Sequence, residues 1–190
     1  MSKELLKANI DQMLKSVYLC FENNLITSCL ILIYSAIDCM SALHRPVDQQ
    51  KVQKQDFLDW SSKYIIPYLN FDCTPLDLYS ARCGIIHTYT PDSALTRNNK
   101  AKTVYYACGP AKVKDLRKSI KLTHEDKNIT AIQIEVLIEA LKKGIQDFES
   151  DIRECGFENI VFERASNFFV KMSMKEIDEI KPIINKKIKD

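Results

Sequence analysis

Glycine and proline are scarce in this chain, with only four glycines and six prolines among 190 residues. Sandwiches of short strands and disordered linkers need many more of both, so neither class is expected here. Net charge is also small, at +2, and the protein as a whole therefore does not attract nucleic acid. The apolar fraction of 46% is enough to bury one sizeable core.

Paired cysteines are also lacking, because the seven cysteines are odd in number and form no C-x-x-C pair. This pattern predicts neither a disulfide framework nor a zinc ribbon. Most of the cysteines have apolar neighbours and are predicted to be small core residues in a reducing compartment. His44 and His124 have no ligand-spaced neighbour beyond Glu125 and Asp126, so we predict no metal site and no cofactor.

Residues 25 to 43 form the only long apolar stretch, and it contains Asp38. A charge at the centre of a membrane span costs about 2.5 to 3.5 kcal/mol to insert. The first residues mix acid and base within one turn and lead into an amphipathic helix, which is not the pattern of a signal peptide. We therefore predict a core helix, no membrane partner and a cytoplasmic protein.

Apolar residues recur at helical spacing along most of the chain. They predict helices over residues 3 to 22, 25 to 44, 57 to 65, 75 to 88 and 130 to 154. The best strand, Thr103–Cys108, precedes Gly109 and Pro110 and could pair with Ser119–Leu122 as a hairpin. We predict an all-α helical bundle over residues 1 to 155 that includes a basic loop and β-hairpin at about 93 to 123. A C-terminal helical extension is predicted over residues 156 to 190.

Arg82 and His87 lie in a strongly apolar predicted helix, which Thr74 is expected to cap and Pro75 to begin. Charged groups in such a place usually have a partner or a function. At 100° per residue the two side chains are about 140° apart around the helix. They can converge if Arg82 reaches around the helix, or if a second copy of the helix approaches. Gly84 between them favours close approach of another backbone.

The segment from Leu78 to Tyr89 resembles the signature of the HEPN family, which is an Arg followed after four to six residues by a His near a helix end. A supporting match is Tyr34 to Asp38 in the preceding long helix, and with the helix order the resemblance covers most of residues 1 to 150. HEPN domains are all-α ribonuclease and nucleotide-binding domains. In active members the resemblance implies metal-independent RNA cleavage at a composite site of two protomers, hence a homodimer. A toxin or defence role, with a cognate protein or antitoxin, is implied by family analogy only.

Carried over to this chain, the resemblance implies that Arg82 stabilises the phosphate and the transition state, and that His87 is the general acid or base. RNA carries its own nucleophile, so a group that titrates near neutral pH and a fixed cation suffice without a metal. Asp38 is the one charge in its buried helix and needs a partner. Arg82 or His87 is the natural candidate, and Asp38 would then either form a structural ion pair or orient the site.

A catalytically inactive HEPN-like module that binds a nucleotide or a protein is the alternative. In that case Arg82 would pair with an acid such as Asp38 or Asp77, and His87 would only cap its helix. One departure from the family pattern bears on the choice, because Cys83 follows Arg82 where many active members have a polar residue.

A local basic stretch runs from Arg97 to Lys121 and contains eight basic residues but only one acid, Asp115. Lysines bind phosphates and aromatic rings stack on bases, so this composition suits RNA binding. We predict four substrate-binding residues here: Lys100, Lys102, Tyr105 and Tyr106. The alternative is a solvated loop and hairpin, since charge runs usually face water.

Overall fold

Helices account for most of the structure, a computed structural model that describes residues 2–69, 72–110, 112–123 and 128–166. The predicted mainly helical class is confirmed. In chain order the elements are α1 (Ser2–Glu22), α2 (Ile26–His44), α3 (Lys54–Tyr64), a 3-10 helix (Ile66–Tyr68), α4 (Pro75–Thr88), α5 (Ala94–Arg97), β1 (Thr103–Ala107), α6 (Val113–Thr123), β2 (Ile129–Gln133), α7 (Ile134–Glu154) and α8 (Glu158–Ser166).

Helix α2 is the centre of the core and packs against α1, α3, α4, α7 and α8. By length and composition alone α2 could cross a membrane, but more than half of that stretch is buried inside the protein. Its neighbours contribute several of the largest buried side chains, among them Trp60, Tyr64 and Phe148. Helix α2 is therefore the core helix that its apolar composition predicts.

Helix α4 begins with the predicted cap. The Asp77 backbone N–H donates to Thr74 Oγ1 at 3.2 Å, and the Thr74 backbone N–H donates to Asp77 Oδ2 at 2.8 Å. The other carboxylate oxygen of Asp77 accepts from the Lys102 backbone N–H at 2.6 Å, which ties the start of α4 to the start of β1. At its end α4 is closed by Tyr89, a non-glycine residue in the left-handed region (φ 57°). Both ends of the motif helix are thus fixed by local contacts.

The strands form a two-stranded parallel sheet, with Thr103 opposite Ile129 and Ala107 opposite Gln133. Strand β1 was predicted to within one residue, but the hairpin with Ser119–Leu122 is wrong because those residues lie in α6. Parallel strands cannot be joined by a tight turn and need a longer crossover, which α6 supplies here. Two smaller differences are that the basic loop predicted from about residue 93 contains α5, and that the helix predicted from residue 130 begins at 134.

Helix α8 is the described part of the predicted C-terminal extension. It packs against α1 and α2, with Val161 and Ala165 buried in the core. The Arg164 guanidinium donates to the Leu43 carbonyl at 2.9 Å and to the Pro46 carbonyl at 2.8 Å. Helix α8 is thereby anchored to the C-terminal end of α2. The remainder of the predicted extension, residues 167–190, lies outside the described residues.

Candidate Arg82 and His87 site

Asp38 on α2 and Arg82 on α4 form an ion pair, in which Arg82 Nε donates to Asp38 Oδ2 at 2.8 Å. Their side chains are 32% and 23% exposed. Burial raises the pKa of Asp38, and the hydrogen bond and charge of Arg82 offset that rise only in part. Burial acts to lower the pKa of Arg82, but the hydrogen bond and charge of Asp38 outweigh it, so the pKa of Arg82 is raised. Asp38 thus has the partner that its place in a buried helix requires.

The same guanidinium also meets His87, because Arg82 Nη1 lies 3.5 Å from His87 Nε2. His87 is exposed, whereas Arg82 is mostly buried. The two residues converge within one chain because the long Arg82 side chain reaches around the helix. A guanidinium can only donate, so a hydrogen bond between the two groups requires an Nε2 that carries no proton.

Gly84 allows a close backbone approach, but by this chain's own loop rather than by a second copy. A Cβ atom at position 84 would lie 2.5 Å from the Thr90 carbonyl oxygen and 2.7 Å from that of Asp92. Thr88 Oγ1 donates to the Gly84 carbonyl at 2.8 Å and is bonded to Thr90 Oγ1 at 2.8 Å. The loop after α4 is therefore folded back onto the helix beside His87.

Two cations lie over the ring of Tyr79. Arg82 Cζ is 5.9 Å from the ring centroid, and Lys54 Nζ, from the first turn of α3, is 5.3 Å from it. Phe57 packs edge-on against the same ring at 5.4 Å. Lys54 was not predicted as a site residue, because only the packing of α3 on α4 brings it here. The sequence places Lys54 before the predicted helix over residues 57 to 65, where no local pattern indicates a site.

Two of the four predicted substrate-binding residues, Lys102 and Tyr106, are held by partners other than Arg82 and His87. Lys102 Nζ pairs with Asp72 Oδ2 at 2.6 Å, and its backbone N–H bonds to Asp77 at the opposite end of α4. Asp77 precedes His87 by ten residues, which is about 15 Å along a helix. The Tyr106 hydroxyl is hydrogen-bonded to the Tyr34 hydroxyl.

Tyr105 is half-buried in β1, and Lys100 is exposed after α5. Other exposed basic residues of this stretch include Lys112, just before α6, and Lys114 and Lys118 within it. Two of the four predicted residues, Lys102 and Tyr106, are thus engaged by partners inside the chain. Lys100 is the one of the four that is exposed.

All seven cysteines are free, with Cys29 and Cys73 buried and Cys155 exposed. Burial raises the pKa of the Cys73 thiol to about 12, so this sulfur stays protonated. Cys83 Sγ lies 3.9 Å from Arg82 Nη1. Among the described residues no group of three or more His, Cys, Asp or Glu side chains could hold a metal ion. His124, with Glu125 and Asp126, lies outside those residues.

Comparison with protein-family models, curated proteins and solved structures finds no match to the chain. The resemblance to the HEPN signature therefore depends on the motif residues and the helix order alone.

Proposed function

We propose that the protein is a metal-independent endoribonuclease of HEPN-like type, acting through Arg82, His87 and Asp38. The observation that carries the proposal is the 3.5 Å approach of Arg82 Nη1 to Nε2 of the exposed His87. A cation and an imidazole at this separation can contact one phosphodiester group together. The predicted RNA contacts of Lys100, Lys102, Tyr105 and Tyr106 are not needed for this chemistry.

The reaction would be an internal transesterification of RNA. The 2′ oxygen attacks phosphorus as its proton leaves, the bond from phosphorus to the 5′ oxygen breaks, and that oxygen takes up a proton. The products are a 2′,3′-cyclic phosphate and a 5′ hydroxyl. His87 would transfer one of these protons, since imidazoles titrate close to neutral pH. Arg82 would stabilise the extra negative charge on the phosphorane through its paired N–H groups.

Asp38 is proposed as a positioning residue. It occupies Arg82 Nε at 2.8 Å, which fixes the plane of the guanidinium. Among the described residues Arg82 Nη2 has no hydrogen-bond partner, and it is available to a phosphate oxygen. A guanidinium held in one orientation loses less entropy when it binds an anion.

A homodimer is part of the proposal, because the resemblance implies a composite site. Residues 87–90 are consecutively exposed at the end of α4, and the Tyr89 side chain is 72% exposed. This surface would accept a second protomer next to the Arg82 and His87 pair. A cognate protein or antitoxin that covers the same surface would inhibit the enzyme.

The alternative function is that of a catalytically inactive HEPN-like module that binds a nucleotide or a protein partner. One observation favours it: the Arg82 side chain is only 23% exposed and is already paired with Asp38. Partly buried ion pairs of this kind also occur for structural reasons alone.

The two functions are separated by incubating purified protein with end-labelled RNA in excess EDTA. The wild type should leave cyclic phosphate ends, and His87→Gln should lower the rate by about 100-fold or more, the usual contribution of a general acid or base. His44→Gln is the matched control, because it makes the same change at an exposed histidine on another part of the surface. Arg82→Lys should also be slow, since lysine lacks the planar paired donors.

Circular dichroism would show that each variant is folded. Folded wild-type protein that cleaves no RNA would overturn the nuclease proposal and favour the inactive module. Equal cleavage by the wild type and His87→Gln would exclude His87 from the chemistry.

A further inference from the structure

Lys54 and Arg82 are two cations from different helices that share one aromatic ring. Lys54 Nζ and Arg82 Cζ lie 5.3 Å and 5.9 Å from the centroid of Tyr79. Lys54 is exposed, and so is His87, whose Nε2 lies 3.5 Å from Arg82 Nη1. The Tyr79 ring therefore links Lys54 of α3 to the Arg82 and His87 pair of α4.

The position of Lys54 is fixed by its surroundings. Phe57, one turn further along α3, is buried and packs edge-on against Tyr79. The start of α3 is closed by a capping box, in which the Gln53 backbone N–H donates to Asp56 Oδ2 at 2.6 Å. The backbone that carries Lys54 is thus held against α4, and the lysine is not on a loose loop.

Neighbouring acids do not neutralise Lys54. Asp56 is buried and accepts hydrogen bonds from Gln53 and from Gln49 Nε2, while Asp38 is bound to Arg82. Among the described residues Lys54 Nζ forms no ion pair. A bound phosphate would give the Lys54 ammonium the anionic partner that it lacks among these residues.

We propose that Lys54 binds the RNA phosphate next to the one held by Arg82. This inference rests on the proposed function, since it assigns a second phosphate contact to the same substrate. An RNA strand has a phosphate on every nucleotide, so a strand with one phosphate at Arg82 and His87 carries a neighbouring phosphate that Lys54 would contact. Lys54 would contribute to binding and to the register of the strand, but not to bond cleavage.

The test is the salt dependence of binding, measured with a fluorescent single-stranded 2′-O-methyl RNA that cannot be cleaved because its nucleophile is blocked. Lys54→Gln should weaken binding several-fold at low salt and reduce the slope of log affinity against log salt by about 0.7, the value for one phosphate contact on a single strand. In cleavage assays with ordinary RNA the same variant should raise KM and leave kcat unchanged.

Lys143→Gln is the matched control. Lys143 is also exposed and also lies over a tyrosine ring, with Nζ 5.4 Å from the centroid of Tyr68, but on α7. It should bind and cleave like the wild type. If the wild type cleaves RNA and Lys54→Gln and Lys143→Gln give the same slope, the Lys54 contact is wrong while the nuclease proposal stands. If the wild type neither binds nor cleaves RNA, both proposals fail.

Discussion

Two tyrosine hydroxyl groups satisfy each other inside the protein. Tyr34 on α2 is completely buried, and its hydroxyl is hydrogen-bonded to that of Tyr106 on β1. Burial raises the pKa of both phenols, so both stay protonated and one donates to the other. A buried hydroxyl that loses its only partner keeps the cost of leaving water.

Removing one of these hydroxyls should therefore cost more than removing both. We expect Tyr34→Phe and Tyr106→Phe each to lower the free energy of unfolding by about 1 to 3 kcal/mol, because the remaining hydroxyl is left unpaired. The double variant should lose much less than the sum of the two. Urea unfolding of the four proteins provides the double-mutant cycle. Strictly additive losses would show that the hydroxyls do not depend on each other.

The pairing of Asp38 with Arg82 could be predicted from the sequence, whereas the positions of Tyr106 and Lys54 could not. A single charge in an otherwise apolar helix requires a partner, and few candidates exist. Tyr105 and Tyr106 are neighbours of the same residue type, so the sequence cannot tell which of them is bonded to Tyr34. That depends on which side of β1 faces α2. Lys54 reaches Tyr79 only through the packing of α3 on α4. No local pattern encodes contacts of this kind.

The end of α4 and the loop after it form one unit that depends on Gly84. The Thr90 and Asp92 carbonyls occupy the space that a side chain at position 84 would need. The same loop continues from His87 through Tyr89, so its position affects the surface of the candidate site. A change at Gly84 would therefore act on both stability and the site.

Gly84→Ala should destabilise the protein, although helix propensity alone predicts a gain of about 1 kcal/mol. The new methyl group would meet backbone carbonyls that cannot turn away, and such overpacking typically costs about 1 to 3 kcal/mol. Ser62→Ala, at an exposed position of α3, is the control and should be close to neutral. Thermal unfolding gives the sign directly, and a more stable Gly84→Ala protein would show that the loop does not rest on the helix.

The helices were predictable because an apolar face repeated at helical spacing extends over many residues. The pairing of the strands was not predictable, because β1 and β2 have only five residues each and their relative direction depends on the α6 crossover between them. Val113 and Leu116 lie three residues apart on α6, among lysines. This spacing indicates a helix and could have excluded the predicted hairpin. The β-branched residues Ile129, Thr130 and Ile132 likewise indicate a strand.

His44 links three parts of the fold at the C-terminal end of α2. Its ring packs edge-on against Tyr64 of α3 and Phe148 of α7, with centroid distances of 5.8 Å in both cases. Burial and then the charge of Lys63 lower the pKa of His44, and the nearby carboxylates of Asp59, Asp151 and Asp56 only partly oppose this. The folded state thus favours the neutral ring.

Stability should depend on pH through this histidine. A lowered folded-state pKa contributes stability above the unfolded value of about 6.5, and that contribution is lost as the pH falls through the folded pKa. The difference in melting temperature between the wild type and His44→Gln should therefore shrink from pH 7.5 to pH 5. Calorimetry at several pH values measures it. A difference that is constant or grows towards acid pH would contradict the assigned shift.

The parallel pairing of β1 with β2 also has a consequence for the order of folding. Thr103 must meet Ile129 across the whole of α6, so the sheet cannot form as a local turn and its loop closure is costly. Strand β1 is meanwhile held by Asp77 of α4 and Tyr34 of α2. Strand β1 can therefore pack against these helices before it pairs with β2. Pulse-labelled hydrogen exchange should find the α2 amides protected before those of β2, and simultaneous protection would show that the sheet does not form late.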